Sequence, residues 1–285
     1  MSSPHLTGLP DLVIEPIVRA ALAEDLGHAG DVTSAACVDP QARLSVQFAA
    51  RQAGVLAGLD CARLALTLID SDIRFQATAN DGDQVAAGAV LARAEGNARA
   101  ILAAERVALN LMSRLSGVAT LTAAYVAAVE GTGARITDTR KTTPGLRALE
   151  KYAVRCGGGV NHRFGLDDAI LIKDNHVAAC GGVGPALARA QAAAGHMLTI
   201  EVEVDSLEQL DEALTYAPHV IMLDNFSLAD LSEAVRRTAG RVRLEASGGV
   251  TLKTVRAIAE TGVDVISVGG LTHSAPALDL GLDAV

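Results

Sequence analysis

The chain holds twenty arginines but only four lysines, Lys141, Lys151, Lys173 and Lys253. Where a sequence that so favours Arg keeps a Lys, the position calls for what Arg lacks: a compact, strongly hydrated point charge or a pKa its surroundings can tune. Lys141 and Lys173 each close a strand-like apolar run, whereas Lys151 and Lys253 fall in helical stretches and read as solvated. With Arg140, His162 and Arg163 they would form an anion cage, the arginines forking onto carboxylates and the lysines serving phosphate as point charges. Carboxylates oppose these cations. Glu201 and Glu203 stand two apart in TIEVEV, so both side chains leave the strand on the same face, and Asp224 ends the following run. Glu203 and Asp224 offer the hard oxygen donors that would hold Mg2+, directly or through water, beside a polyphosphate. Ser247-Gly248-Gly249, followed by a helical stretch, reads as a phosphate cradle, since glycine lets the backbone come close and a helix start presents free N–H groups. Gly269-Gly270 after the last run suggests a second phosphate contact. The implied ligands are a phosphorylated, metal-bound sugar and a carboxylate-rich molecule.

These residues are carried by a regular framework. After Gly133 six apolar runs, at 134–139, 168–174, 199–205, 219–225, 242–247 and 264–270, alternate with helical stretches at 145–156, 183–195, 206–216, 227–239 and 251–261. Strands alternating with helices predict a parallel sheet joined by right-handed crossovers, and near-continuous apolar runs fit strands buried on both faces. The fold class is α/β. Six units are two short of a closed eight-stranded barrel, so the expectation is an incomplete, TIM-like barrel, open on one side and covered there by another element. The functional side chains fall at the ends of the runs, where the active face of such a barrel lies.

The N-terminal third has a different rhythm. An amphipathic helix over 11–25 precedes alternating apolar residues from 42 to 95, broken by Gly and by Asn-Asp-Gly and interrupted by the helical CARLALTLID. From 100 to 130 the pattern is helical, with Gly117 as its weak point. The predicted division is an α+β sandwich over 1–117 and a barrel over 118–271, with the tail 272–285 packing back on the first domain.

Composition excludes several classes. A net charge of -9 argues against broad binding of nucleic acid or anionic membranes. No apolar stretch reaches the roughly 18 residues of a membrane helix, and the N-terminus lacks a signal-peptide pattern. Cys37, Cys61, Cys156 and Cys180 show no metal-ligand spacing and read as reduced structural thiols of a cytoplasmic protein.

The run TDTRKTTPGLRALEKYAVRCGGGVNHRFGLDDAILIKDNH (137–176) resembles the signature stretch of the quinolinate phosphoribosyltransferases. IEVEVDSLEQL, IMLDNF, SGGV and GLTHS follow in that family's order, and EDLGHAGDVTS and AERVALNLMSRLSGVAT match upstream. The last turn, SVGGLTHS, is richer in glycine than the family pattern. The resemblance implies an N-terminal sandwich, an open α/β barrel, a Mg2+ cofactor and a homodimer with shared sites. It implies that quinolinate's two carboxylates are held by Arg140, His162, Arg163 and Lys173 together with the partner's Arg106. It assigns phosphoribosyl pyrophosphate and its metal to Lys141, Glu203, Asp224, Ser247, Gly248, Gly249, Gly270 and His273, with Lys141, Glu203 and Asp224 as the catalytic set, and Thr139 and Gly269 are further candidate substrate-binding residues.

Other readings stay open at this level. The acceptor could be nicotinate or another aromatic acid, although a cage of several cations favours a dicarboxylate. Lys173 at a strand end could be the Schiff-base lysine of an aldolase. DGDQVAAGAVLARAEG resembles the hammerhead of biotinyl and lipoyl carriers, but that stretch has no Lys to acylate.

Overall fold

In the first third, period-two alternation makes strands and the glycine-bearing turns between them make hairpins. The computed structural model describes residues 6–285. Its elements begin with α1 (Asp11–Leu26), α2 (Val32–Cys37), β1 (Arg43–Ala50), β2 (Gly54–Val55), α3 (Leu59–Ile69), β3 (Arg74–Ala77), β4 (Gln84–Val85), β5 (Val90–Asn97) and α4 (Ala98–Ala128). They continue with β6 (Arg135–Thr137), α5 (Arg147–Cys156), β7 (Ile170–Ile172), α6 (Asp174–Cys180), α7 (Val183–Ala193), β8 (Ile200–Val204), α8 (Leu207–Tyr216), β9 (Val220–Asp224), α9 (Leu228–Thr238), β10 (Arg243–Ser247), α10 (Val255–Ala259), β11 (Val265–Ser267), α11 (Gly270–His273) and β12 (Leu280–Ala284).

One compact unit runs to Ala123 and takes in Thr142–Gly158 and Leu271–Val285. Its antiparallel sheet has the order β12-β1-β5-β3. β1 alternates so that Val46 and Phe48 are buried, and Phe48 meets Phe75 edge-on at 6.0 Å between ring centres. Leu56, Leu66, Leu91, Ile101, Met112 and Leu115 fill the same core without exposed surface to speak of. The C-terminal tail returns as β12, pairing antiparallel with β1 from Val46↔Ala284 to Ala50↔Leu280.

Gly117 does not interrupt the helix it sits in: α4 runs unbroken from Ala98 to Ala128. The glycine is there for close approach, because a Cβ at 117 would run into the carbonyl oxygen of Pro276. The division expected at 117 therefore falls inside one continuous element, and the same unit also recruits α5. Glu150 of α5 is fully buried and accepts hydrogen bonds from Arg114 Nη2 (2.8 Å), Thr143 N (2.9 Å) and Thr143 Oγ1 (2.8 Å), which satisfies a carboxylate that could not be buried alone. Tyr152 donates to Asp81 Oδ2 at 3.0 Å. Lys151, expected to be solvated, is buried in α5.

The second unit comprises Ala124–Lys141 and Gly159–Gly270. Its six strands are all parallel, in the order β6-β11-β10-β9-β8-β7. β6 and β7, consecutive in sequence, lie at opposite edges, so the barrel stays open between them. A single parallel bridge, Thr137↔Val160, extends the β6 edge. All six apolar runs read from the sequence form strands here. The helices α7, α8 and α9 follow the predicted stretches, whereas α10 begins only at Val255 and spans five residues.

Candidate active site

Parallel strands put all their carboxyl ends on one edge of the sheet, and the polar residues of the sequence collect there. Thr139, Arg140 and Lys141 follow β6; Thr139 Oγ1 accepts from Lys141 N at 3.0 Å, turning the chain sharply at the strand end. Lys173 follows β7 as the N-cap of α6, and its backbone N–H donates to His176 Nδ1 at 2.9 Å. Lys173 Nζ lies 2.9 Å from Glu203 Oε2 on β8, joining two of the expected site residues directly. Asp224 closes β9 in register with Ser247 of β10.

The glycines after β10 have a local cause. Asn225 adopts a left-handed backbone (φ 56°) and donates its N–H to Ser247 O at 2.9 Å, while its side-chain amide donates to Asp224 Oδ2 at 2.7 Å. Gly248 (φ 100°) passes so close that a Cβ would collide with Asn225 Oδ1, and Gly249 also has positive φ with open space around it. The phosphate cradle expected here gains little from a helix start. Thr251 N–H is already donated to Thr254 Oγ1 at 3.0 Å, and the five-residue α10 begins beyond it. Open backbone at Gly249, not a helix dipole, is what this turn offers an anion. Gly270, likewise with open space where a Cβ would stand, starts the short α11 after Gly269.

Beneath that edge lies a second polar layer. Asp138, fully buried, accepts from His162 N (2.9 Å) and from Asn161 Nδ2 (2.6 Å). His162 Nδ1 accepts the N–H of Arg163 at 2.7 Å, and Nε2 lies 3.0 Å from Glu201 Oε2 and 3.7 Å from Glu245 Oε1. With Nδ1 accepting the Arg163 N–H, Nε2 is the nitrogen that carries a proton and points it at Glu201. The resemblance gives His162 a substrate carboxylate, but here both ring nitrogens are engaged inside the barrel. Arg163 donates from Nη1 to Ala169 O at 3.0 Å. Burial draws the pKa of Arg163 down, the charge of Arg140 draws it further, and Glu201 and Asp168 oppose both. Glu245 is pushed up to about 7 by burial and then by the neighbouring charge of Glu201. A cavity of about 570 Å3, bordered by His162, Glu201, Glu245, Arg135 and Arg243, opens below this layer, toward the residues that begin the strands.

Sequence reasoning put Glu201 on the same face as Glu203, took Glu245 as one of the polar groups near a strand end, and passed over Asp138. Their only signal was a carboxylate inside an apolar run. Arg106 and His273 belong to the other compact unit. Arg106 is exposed on α4 with Glu105 3.9 Å away, and His273 Nδ1 lies 2.6 Å from Ser274 Oγ.

The fold and site together define an open parallel α/β barrel enzyme whose active edge clusters cations, two carboxylates and glycine turns. The model of the quinolinate phosphoribosyl transferase N-terminal domain matches residues 31–116, and that of the C-terminal domain matches 118–283. The chain is 50% identical over 271 residues to the nicotinate-nucleotide pyrophosphorylase (carboxylating) of Mycobacterium leprae, covering 93% of this chain and 95% of that one. It is 44% identical to a probable enzyme of the same name from Bacillus subtilis, covering 95% and 93%. The crystal structure of NadC from Streptococcus pyogenes superposes with a TM-score of 0.94 at 44% identity, covering 98% of this chain and 99% of that one. The chain belongs to the quinolinate phosphoribosyltransferase family.

Proposed function

We propose that the protein transfers the phosphoribosyl group of phosphoribosyl pyrophosphate to quinolinate, releasing pyrophosphate and CO2 and yielding nicotinate mononucleotide. The observation that carries this reading is the Lys173–Glu203 pair at the carboxyl edge of the barrel, the edge where Arg140, Lys141 and Asp224 also stand at strand ends, in a chain that matches the family over nearly its whole length. Quinolinate and the donor are both anions that repel each other in water, so much of the rate comes from holding them together. Arg140, Arg163 and Lys173 bind the two carboxylates, and Lys141 binds the donor.

The pyridine nitrogen attacks the anomeric carbon as its bond to pyrophosphate breaks. Lys141 offsets the negative charge gathering on the leaving group, and Glu203 and Asp224 face the cationic sugar. The product ring carries a positive nitrogen, and this accepts the electron pair when the adjacent C–C bond breaks. CO2 departs and a solvent proton fills the vacated ring position. Glu203 and Asp224 also suit Mg2+, which takes one or two protein carboxylates and completes its shell with water and phosphate oxygens. Bound there, Mg2+ would neutralise pyrophosphate charge.

The working form is a homodimer in which the partner's Arg106 completes each site, a two-fold arrangement in which one exposed surface serves both copies. Cytoplasmic residence suits its free thiols, of which Cys61 and Cys156 are buried and have raised pKa values. Among the described residues no helix is long and apolar enough to cross a membrane.

The test is incubation with phosphoribosyl pyrophosphate, Mg2+ and quinolinate, reading CO2 and a mononucleotide. Nicotinate should be at best a poor acceptor, because one missing carboxylate leaves cage cations unpaired. Equal turnover of both acids would refute the dicarboxylate assignment.

A further inference from the structure

His162, Glu201 and Glu245 bring one nitrogen and two carboxylate oxygens within 4.8 Å of one another, a spacing compatible with a metal ion. The histidine argues against that use. Its Nδ1 accepts the Arg163 N–H, so its Nε2 carries the proton and has no lone pair to give a metal. What the cluster holds is a negative charge directly under the cations of the active edge.

Glu201 is the centre of that arrangement. It is 6% exposed; Oε2 receives the His162 Nε2 proton at 3.0 Å, and Oε1 has no hydrogen-bond partner and is buried. Arg163, whose backbone N–H is tied to the same imidazole, senses the charges of both Arg140 and Glu201. Arg140 and Arg163 carry like charges, and each is disfavoured by the other. A buried anion beside Arg163 offsets that repulsion. Period-two geometry puts Glu201 there: it leaves β8 on the same face as Glu203 but two residues lower.

We propose that Glu201 is a positioning residue for the acid-binding half of the site, its carboxylate fixing the His162 ring and holding the Arg140–Arg163 pair in the spacing that an aromatic dicarboxylate requires. This role rests on the reading that these cations bind quinolinate. Glu201 touches neither the reacting atoms nor the groups assigned to the phosphoribosyl donor, so its loss should separate the two substrates.

Glu201→Gln keeps the size and an acceptor for His162 but removes the charge. The purified full-length variant should fold as the wild type does, by circular dichroism and thermal melting, because it keeps the size of the side chain and an acceptor for His162. Its KM for quinolinate should rise about ten-fold or more, the scale of one lost charge-assisted interaction. Its KM for phosphoribosyl pyrophosphate should stay within about two-fold on the same reasoning, because no donor contact is lost. Glu201→Asp, which restores the charge at a shorter reach, should fall between Gln and wild type. Titration calorimetry of quinolinate alone should show the same order. If wild type turns over quinolinate and the Gln variant keeps its KM, the positioning role is refuted while the functional reading stands. A lower KM in the Gln variant also refutes it, since Glu201 would then be only an unfavourable charge near an anion. A parallel rise in both KM values marks general damage and refutes it too. Wild type that ignores quinolinate removes both the reading and the role.

Discussion

Glu245 ties the stability of the barrel to pH. Its carboxyl is buried on β10 beside Glu201 and is pushed from its ordinary 4.5 up to about 7, by burial first and by the Glu201 charge second, with His162 acting in the opposite sense. Between those two pH values the folded protein holds a proton that the unfolded chain has released. Stability contributed by this proton is complete below pH 4.5 and is lost as pH rises through about 7. At about 1.36 kcal/mol per pH unit, the loss amounts to about 3 kcal/mol on reaching pH 8. Glu245→Gln replaces the protonated acid with a neutral group of nearly the same shape, and so should remove the dependence. The variant should match wild type at pH 5 and exceed it at pH 8 by up to about 3 kcal/mol, or roughly 5 °C or more in melting temperature for a chain of this size. Urea or thermal unfolding across pH 5–8 reads the difference directly. A variant less stable than wild type at both ends, or a gap that does not change with pH, would show that Glu245 is ionised throughout and that its burial is compensated by partners other than a proton.

Three further outcomes follow from the active edge. Lys141→Ala should weaken use of the phosphoribosyl donor and Lys173→Ala use of the acid, each by about 1.5–3 kcal/mol. Because Lys173 also pairs with Glu203, the second variant should in addition shift the Mg2+ concentration needed for half-maximal rate; steady-state kinetics with each substrate and with Mg2+ varied separates these effects. Gly248→Ala meets both a positive φ and Asn225 Oδ1, so it should lose about 1–3 kcal/mol of stability to strain and most of its activity, measured by melting and turnover. If the partner's Arg106 completes each site, Arg106→Ala and Lys141→Ala should each be inactive alone yet recover about a quarter of wild-type sites after full subunit exchange, since half the dimers are mixed and half their sites intact; no recovery would place Arg106 outside the partner's site.

Much of the barrel was legible because buried parallel strands must be apolar along their whole length, which leaves TIEVEV, VIMLD and RLEAS recognisable without their neighbours. The polar groups at their ends stood out for the same reason. What escaped was decided by contacts distant in sequence. Gly117 looked like a break because glycine weakens isolated helices, yet its reason is the Pro276 backbone lying against α4. Lys151 looked solvated because most lysines are, and only the packing of α5 buries it. The helix after Ser247-Gly248-Gly249 starts later than its sequence suggests because a Thr251–Thr254 side-chain turn occupies the place of its first turn. The short α6 and α11 left no periodic signal long enough to read.

The stacking of charge inside the barrel explains why its lower layer is not built from branched apolar side chains, which ordinarily fill such interiors. An enzyme that clasps a small dianion must bring cations together before the ligand arrives. Their repulsion has to be offset by a group that cannot itself enter the ligand's place. Solvent ions at the open edge would compete with substrate, and a carboxylate in the same layer would take the cations for itself, as Glu203 pairs with Lys173. A buried acid away from the open edge is near enough to act on Arg163. Glu201 fills that place, and the second acid beside it, Glu245, is tolerated because it takes a proton near neutral pH. The cost falls on stability at alkaline pH rather than on binding, and this is the separation that the two glutamine variants are designed to expose.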